Sequence, residues 1–360
     1  MDKQVTDGSA VEGTSRVKPS IDNADHDQPG GPRNGSWEYF RRGLLYFALL
    51  CAAVWISLYV VYIRFPYLQS GSDIVAMAKR SHSLTHPLFD NDAHIRILVF
   101  GDSKTLAAFN PKVFDDQLAR DGISGKVQSV NEGLPGERRF VVYLEQLLAS
   151  GIRPTHILAQ FSPVEADHET TWREWLQHDK MIVDTLFPFR TLPRNLALFI
   201  FSASEHGGIS EFYRESARQA EQVIRDRGYF FIRGQSHFQG DRLPDDYRLA
   251  TDTPTRAFSR AIDTTPIAFA RLAALSQRYG FKVIFFPTPY RIGEFAPAPI
   301  PHSAVAGIAA WPQFVIAGED YWLMPPRYFS DPIHTNTSGA EIYSARLASL
   351  LAPLLQPGDR

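Results

Sequence analysis

The chain has 360 residues, 44% of them apolar and 21% charged, and a formal net charge of −2. That length suits one large domain or two small ones, and the near-neutral balance argues against a nucleic-acid partner. The single cysteine, Cys51, excludes an intrachain disulfide.

Residues 1–36 are rich in Gly, Ser, Asp and Pro and hold almost no large apolar side chain. They cannot bury enough surface to offset ordering entropy, so a disordered tail is expected. From Gly43 to Ile63 there is no charged residue over 21 positions. As a helix that stretch is roughly 31 Å long, the thickness of a bilayer core. Trp37, Tyr39, Tyr62 and Tyr67 fall at the two expected interfaces. Arg33, Arg41 and Arg42 precede the span and Arg64 follows it. The positive-inside rule then puts the N-terminus in the cytoplasm and the rest of the chain outside. The apolar run is longer than a signal-peptide core, and no small-x-small cleavage site follows closely, so an uncleaved anchor in the inner (cytoplasmic) membrane is expected. Cys51 lies mid-span after Leu50, which does not suit lipoprotein processing.

Residues 64–93 read as a membrane-proximal connector with a short helix near Ile74 to Arg80. His82 and His86 are four apart, but Pro87 follows and no acidic partner stands near. No Cys/His cluster has zinc spacing, so neither a metal nor a cofactor is expected. An α/β pattern begins at His94. Strands are expected at Ile95 to Phe100, Lys126 to Asn131, His156 to Phe161 and Phe281 to Phe286, with a fifth placed at Trp311 to Ile316. Helices are expected at Pro111 to Arg120, Glu137 to Ser150, Ala268 to Tyr279 and Asn336 to Leu351, on apolar period and on Pro and Gly at their ends. Such alternation predicts a mostly parallel sheet. Residues 163–264 interrupt it, with a helix at Glu211 to Arg227 and several aromatics. They read either as a cap over a substrate site or as helices packed on the sheet.

The strand Ile95 to Phe100 is nearly all apolar, as a strand buried on both faces must be. It stops at Gly101-Asp102-Ser103, and a Ser at the carboxyl end of a strand lies where α/β sheets carry chemistry. A serine hydroxyl needs a base, and the good candidate stands far downstream, in Asp331-Pro332-Ile333-His334. These two stretches resemble the first and last motifs of the SGNH (GDSL-type) hydrolase family, in the same order. The resemblance covers roughly residues 95–355, with the insertion inside it. It implies a three-layer α/β/α, flavodoxin-like fold for residues 94–355 and a triad in which Ser103 attacks an ester carbonyl. His334 takes the proton, and Asp331 fixes its tautomer. Taken singly, Ser103 and Asp331 equally suit helix caps, and His334 a surface histidine.

The family also implies an oxyanion hole. The Ser103 N–H is one donor and Gly133, in Asn131-Glu132-Gly133, a second. The family's Asn after the third strand is missing, and Gln160 or Ser162 stands in its place. An Asn at 160 or 162 is therefore expected to restore a donor and speed ester hydrolysis. Asn131, Tyr290 and Arg291 are further candidates for contact with substrate. The departure resembles divergent, membrane-anchored SGNH-like proteins of polysaccharide O-acetylation, which implies an acylated glycan as substrate and a membrane-bound O-acyltransferase as partner. The rival expectations are a non-catalytic polysaccharide-binding or scaffold protein of an export complex, and a general esterase of small esters.

Overall fold

The computed structural model describes residues 35–65, 68, 72–135, 140–160, 192–205, 207–231, 238–252, 254, 267–295, 312–319 and 321–355. The chain divides into two units, Met1–Ser57 and Leu58–Arg360. Helix α1 (Gly35–Arg64) contains Trp37–Tyr62, 26 residues whose most apolar 18-residue stretch has a mean hydropathy of 2.4, long and apolar enough to span a membrane. Residues 1–34 of the expected tail, Tyr67 and Ser162 lie outside the described residues.

Helix α2 (Ser72–Thr85) follows, twice the length expected of it and packed into the second unit. The α/β part is β1 (Ile95–Phe100), α3 (Ser103–Ala108), α4 (Pro111–Arg120), β2 (Val127–Asn131), α5 (Phe140–Ala149) and β3 (His156–Gln160). Within the interrupting segment stand α6 (Leu192–Glu205) and α7 (Ile209–Arg225), and α7 packs on α2. Then come α8 (Ile267–Tyr279), β4 (Lys282–Phe286), β5 (Thr288–Arg291), β6 (Phe314–Ile316), β7 (Tyr321–Met324) and α9 (Thr337–Leu355). The fifth strand of the main sheet, β6, falls inside the stretch expected for it.

That sheet is parallel throughout, in the order β2-β1-β3-β4-β6. Its centre shows why β1 is nearly all apolar. Ile97 and Val99 join an apolar cluster with Phe114 of α4 and Leu347 of α9. Leu98 and Phe100 join a different one with Leu144 of α5 and Leu272 of α8. Each such side chain is worth about 1.5–3 kcal/mol when fully buried. The order also fixes where a site can lie. The chain goes from β1 to β2 on one side, then returns to β3 on the other. The crevice of an α/β sheet opens at such a reversal, beyond the carboxyl ends of β1 and β3. Phe100 pairs with Ala159, so Gly101 and Gln160 emerge side by side. A second, two-stranded parallel sheet, β5 with β7, was not expected.

Candidate active site

Ser103 begins α3 immediately past β1. Asp102 caps that helix, its Oδ1 accepting the Lys104 N–H at 2.8 Å. The N-cap role that Ser103 itself could have filled therefore belongs to Asp102. Gly101 is required here by space. A Cβ on it would lie 2.0 Å from Thr105 Oγ1 and 2.4 Å from Gln160 Oε1.

His334 stands 231 residues away in sequence, yet its Nε2 lies 2.9 Å from Ser103 Oγ. Its Nδ1 lies 2.7 Å from Asp331 Oδ2. The three-residue spacing works because Asp331 folds the turn on itself. Its Oδ1 accepts the N–H groups of Ile333 and His334, each at 2.7 Å. The turn is then tied to α3, which Ser103 begins, since Thr335 Oγ1 donates to Ala107 O at 3.0 Å. Asn336 Nδ2 anchors the next residue, donating to Arg327 O and Asp241 O. Burial pushes the Asp331 carboxyl up, but the His334 ring and the two backbone N–H groups outweigh it and hold it below the usual carboxylate range. A charged Asp331 on Nδ1 leaves the lone pair of Nε2 facing Ser103 Oγ, the arrangement a general base requires.

The Ser103 N–H has no acceptor among the described residues. Gly133, expected as the second donor, instead gives its N–H to Asn131 Oδ1 at 2.9 Å. Asn131 is fully buried, and its Nδ2 donates to the carbonyls of Thr105, Leu106 and Phe109. It braces α3 and does not face a substrate. Gln160 comes closest to the expected replacement. Its Oε1 accepts the Asp102 N–H at 3.0 Å and the Thr105 hydroxyl at 2.6 Å. A backbone N–H can only donate, so the amide oxygen must face it. That leaves the Nε2 group, which has no acceptor among the described residues, as a donor held beside the turn that carries Ser103.

Tyr290 and Arg291 part company. Lys104 Nζ sits 4.5 Å above the Tyr290 ring, which places Tyr290 beside the residue that follows Ser103. Arg291, expected at the substrate, is 0% exposed and grips Asp252 through Nη1 (3.0 Å) and Nη2 (2.6 Å). Strand pairing of β5 with β7 turns it inward, where it fastens the interrupting segment to the domain. Further support comes from Arg227, whose Nη1 reaches Asp115 Oδ2 at 2.5 Å. The described parts of the interruption thus behave as packed helices and braces. Among the described residues there is no cluster of three or more metal-binding side chains. Comparison with protein-family models, curated proteins and solved structures finds nothing that matches this chain.

Proposed function

We propose that the chain is a membrane-anchored serine acyl-ester enzyme of SGNH type. It transfers or removes an O-acetyl group on a cell-envelope or exported polysaccharide. The observation that carries this reading is the Asp331–His334–Ser103 relay, with contacts of 2.7 and 2.9 Å. Ser103 Oγ attacks the acyl carbon while His334 takes its proton. The tetrahedral oxyanion is held by the Ser103 N–H and the Gln160 amide. His334 returns the proton to the leaving sugar oxygen, and an acyl-serine remains. Water or a second sugar hydroxyl then resolves it. The three-layer SGNH arrangement is supported by the two apolar clusters on opposite faces of β1 and by the site's place past β1 and β3. An extracytoplasmic domain is supported by Arg41 and Arg42, which immediately precede the charge-free stretch from Gly43 to Ile63. A membrane-bound O-acyltransferase is the partner that would deliver acyl groups across the bilayer.

The test is a fluorophosphonate probe together with an aryl acetate. The full chain in detergent is expected to form a covalent adduct at Ser103 and to release the aryl alcohol. Ser103→Ala and His334→Ala should each abolish both signals, with no further loss in the double variant, because the two act as a unit. Asp331→Asn should lose less. A folded wild-type chain inert to both reagents would leave the scaffold reading. Rapid hydrolysis with no acylation of any oligosaccharide would leave the small-ester esterase.

A further inference from the structure

One charged side chain outside the triad lies where charge is costly. Lys79 of α2 is 3% exposed, and the nearby Glu132 is 1% exposed. Lys79 Nζ donates to Gly133 O at 2.6 Å and to Gly228 O at 3.0 Å. Ser83 Oγ and Tyr143 Oη donate to the two Glu132 oxygens at 2.7 and 3.0 Å. Burial drives the Lys79 ammonium down to about 7 against the pull of Glu132. An apolar pair would fill this space at less cost. What it would not do is bind two carbonyl oxygens from separate segments.

Those carbonyls sit behind the active site. Gly228 is pressed onto the end of β2, with φ +89° and room for no Cβ, which would lie 1.9 Å from Asn131 O. Gly133 abuts the nucleophile's helix, since a Cβ there would come within 2.9 Å of Leu106 N. The next residue, Leu134, donates its N–H to Gly101 O at 3.0 Å. The loop from Asn131 to Leu134 is therefore wedged between Lys79 on one side and Gly101 and α3 on the other.

We propose that Lys79 is a positioning residue for the Ser103 site, its Nζ holding Gly133 and so pressing the loop against Gly101 and the first turns of α3. The proposal rests on the acyl-ester reading of Ser103. Two carbonyls need two donors, and a neutral amine still has two, so the hold survives loss of the proton. The residue also ties the helix that follows the membrane span to the catalytic turn. A cavity of about 60 Å³ lined by Lys79, His82, Ser83, Glu132, Arg227 and Gly228 lies beside it, and truncation of Lys79 enlarges that space.

The experiment uses the full chain in detergent with an aryl acetate. Lys79→Ala should lower kcat about 10- to 100-fold with KM unchanged, as misplacement of a catalytic turn does. Ethylammonium, which can enter the vacated space and donate, should restore much of the loss. Tetramethylammonium, with the same charge and no N–H, should not. If Lys79→Ala does not fold, Lys79→Met combined with Glu132→Gln removes both charges and should show the same fall in kcat alone. Unchanged kcat in either folded variant overturns the proposal, as does equal rescue by the two cations, and the acyl-ester reading then stands. A folded wild-type chain with no turnover overturns both.

Discussion

Gln160→Glu isolates the one donor that sequence alone left open. The two side chains have the same shape, and a carboxylate oxygen still accepts from Asp102 N–H and Thr105 Oγ1, now 3.0 and 2.6 Å from the amide oxygen. Gln160 is buried, so the new carboxylate also carries a desolvation cost and the melting temperature should fall. What is lost is the Nε2 donor, and an oxygen that repels a developing oxyanion takes its place. Loss of one such donor costs ~10²–10³ in turnover, about 2.7–4 kcal/mol in the barrier. Gln160→Ala makes the contrast. It removes the acceptor as well, and leaves two donors unpaired at about 1–3 kcal/mol each, so melting temperature and turnover should fall together. Gln160→Asn, expected from the family pattern to speed hydrolysis, should slow it. Its arm is shorter by one carbon–carbon bond, ~1.5 Å, and cannot hold both Asp102 and Thr105. The assay is aryl acetate kinetics beside thermal melting followed by circular dichroism. A folded Gln160→Glu that turns over like the wild type would refute the role assigned to Gln160.

Asp252→Ala should destabilise the domain by about 3–5 kcal/mol, because it strands the buried Arg291 guanidinium. Turnover of the folded fraction, measured well below the melting temperature, should be retained, and a selective loss of activity would return Arg291 to the substrate site. Between pH 7 and 9 the Lys79 site should make stability rise with pH. Its native value lies near 7 and the unfolded chain keeps the proton to about 10.4, so the unfolded state binds more protons throughout that window. Denaturant titrations should show a shallower rise for Lys79→Met with Glu132→Gln, and equal slopes would count against the buried ammonium. A reporter active only outside the cytoplasm, fused after Arg360, should give signal, and signal from a cytoplasm-only reporter at the same place would reverse the orientation.

The parallel sheet was legible because burial on both faces demands apolar runs, and β1 and β3 supply them at residues 97–100 and 157–159. Elements without such a run were missed or shortened. β5 contains Pro289, which a ladder strand tolerates only at an edge or with its nitrogen unneeded, so Thr288–Arg291 read as a loop. Helix α3 has six residues and begins at the motif itself, too short for a period to emerge. Helix α2 was cut short at Arg80 because Lys79, Arg80 and His82 look solvated. Val75, Lys79 and Ser83 are four apart and share one face, and all three are buried. The period pointed inward, but a lysine on it read as surface.

The same division runs through the site. Ser103, Asp331 and His334 carry local signals, a glycine turn after a strand and a carboxylate three residues before a histidine. Their supports carry none, because each is a single polar residue whose role is set by a partner far along the chain. Gln160 becomes meaningful only when β3 is known to pair with β1, which sets it beside Gly101. Gly133 and Asn131 show the reverse. Position in the family pattern marked Gly133 as a donor to substrate, yet the side chain two residues earlier takes its N–H. Strand order therefore carries more functional information here than any motif beyond the triad. It puts the Gln160 amide beside Gly101, and it puts a loop held by Lys79 and Asn131 behind α3. Substitutions at those two supports should alter turnover by displacing the turn that carries Ser103, with Ser103, His334 and Asp331 themselves unaltered.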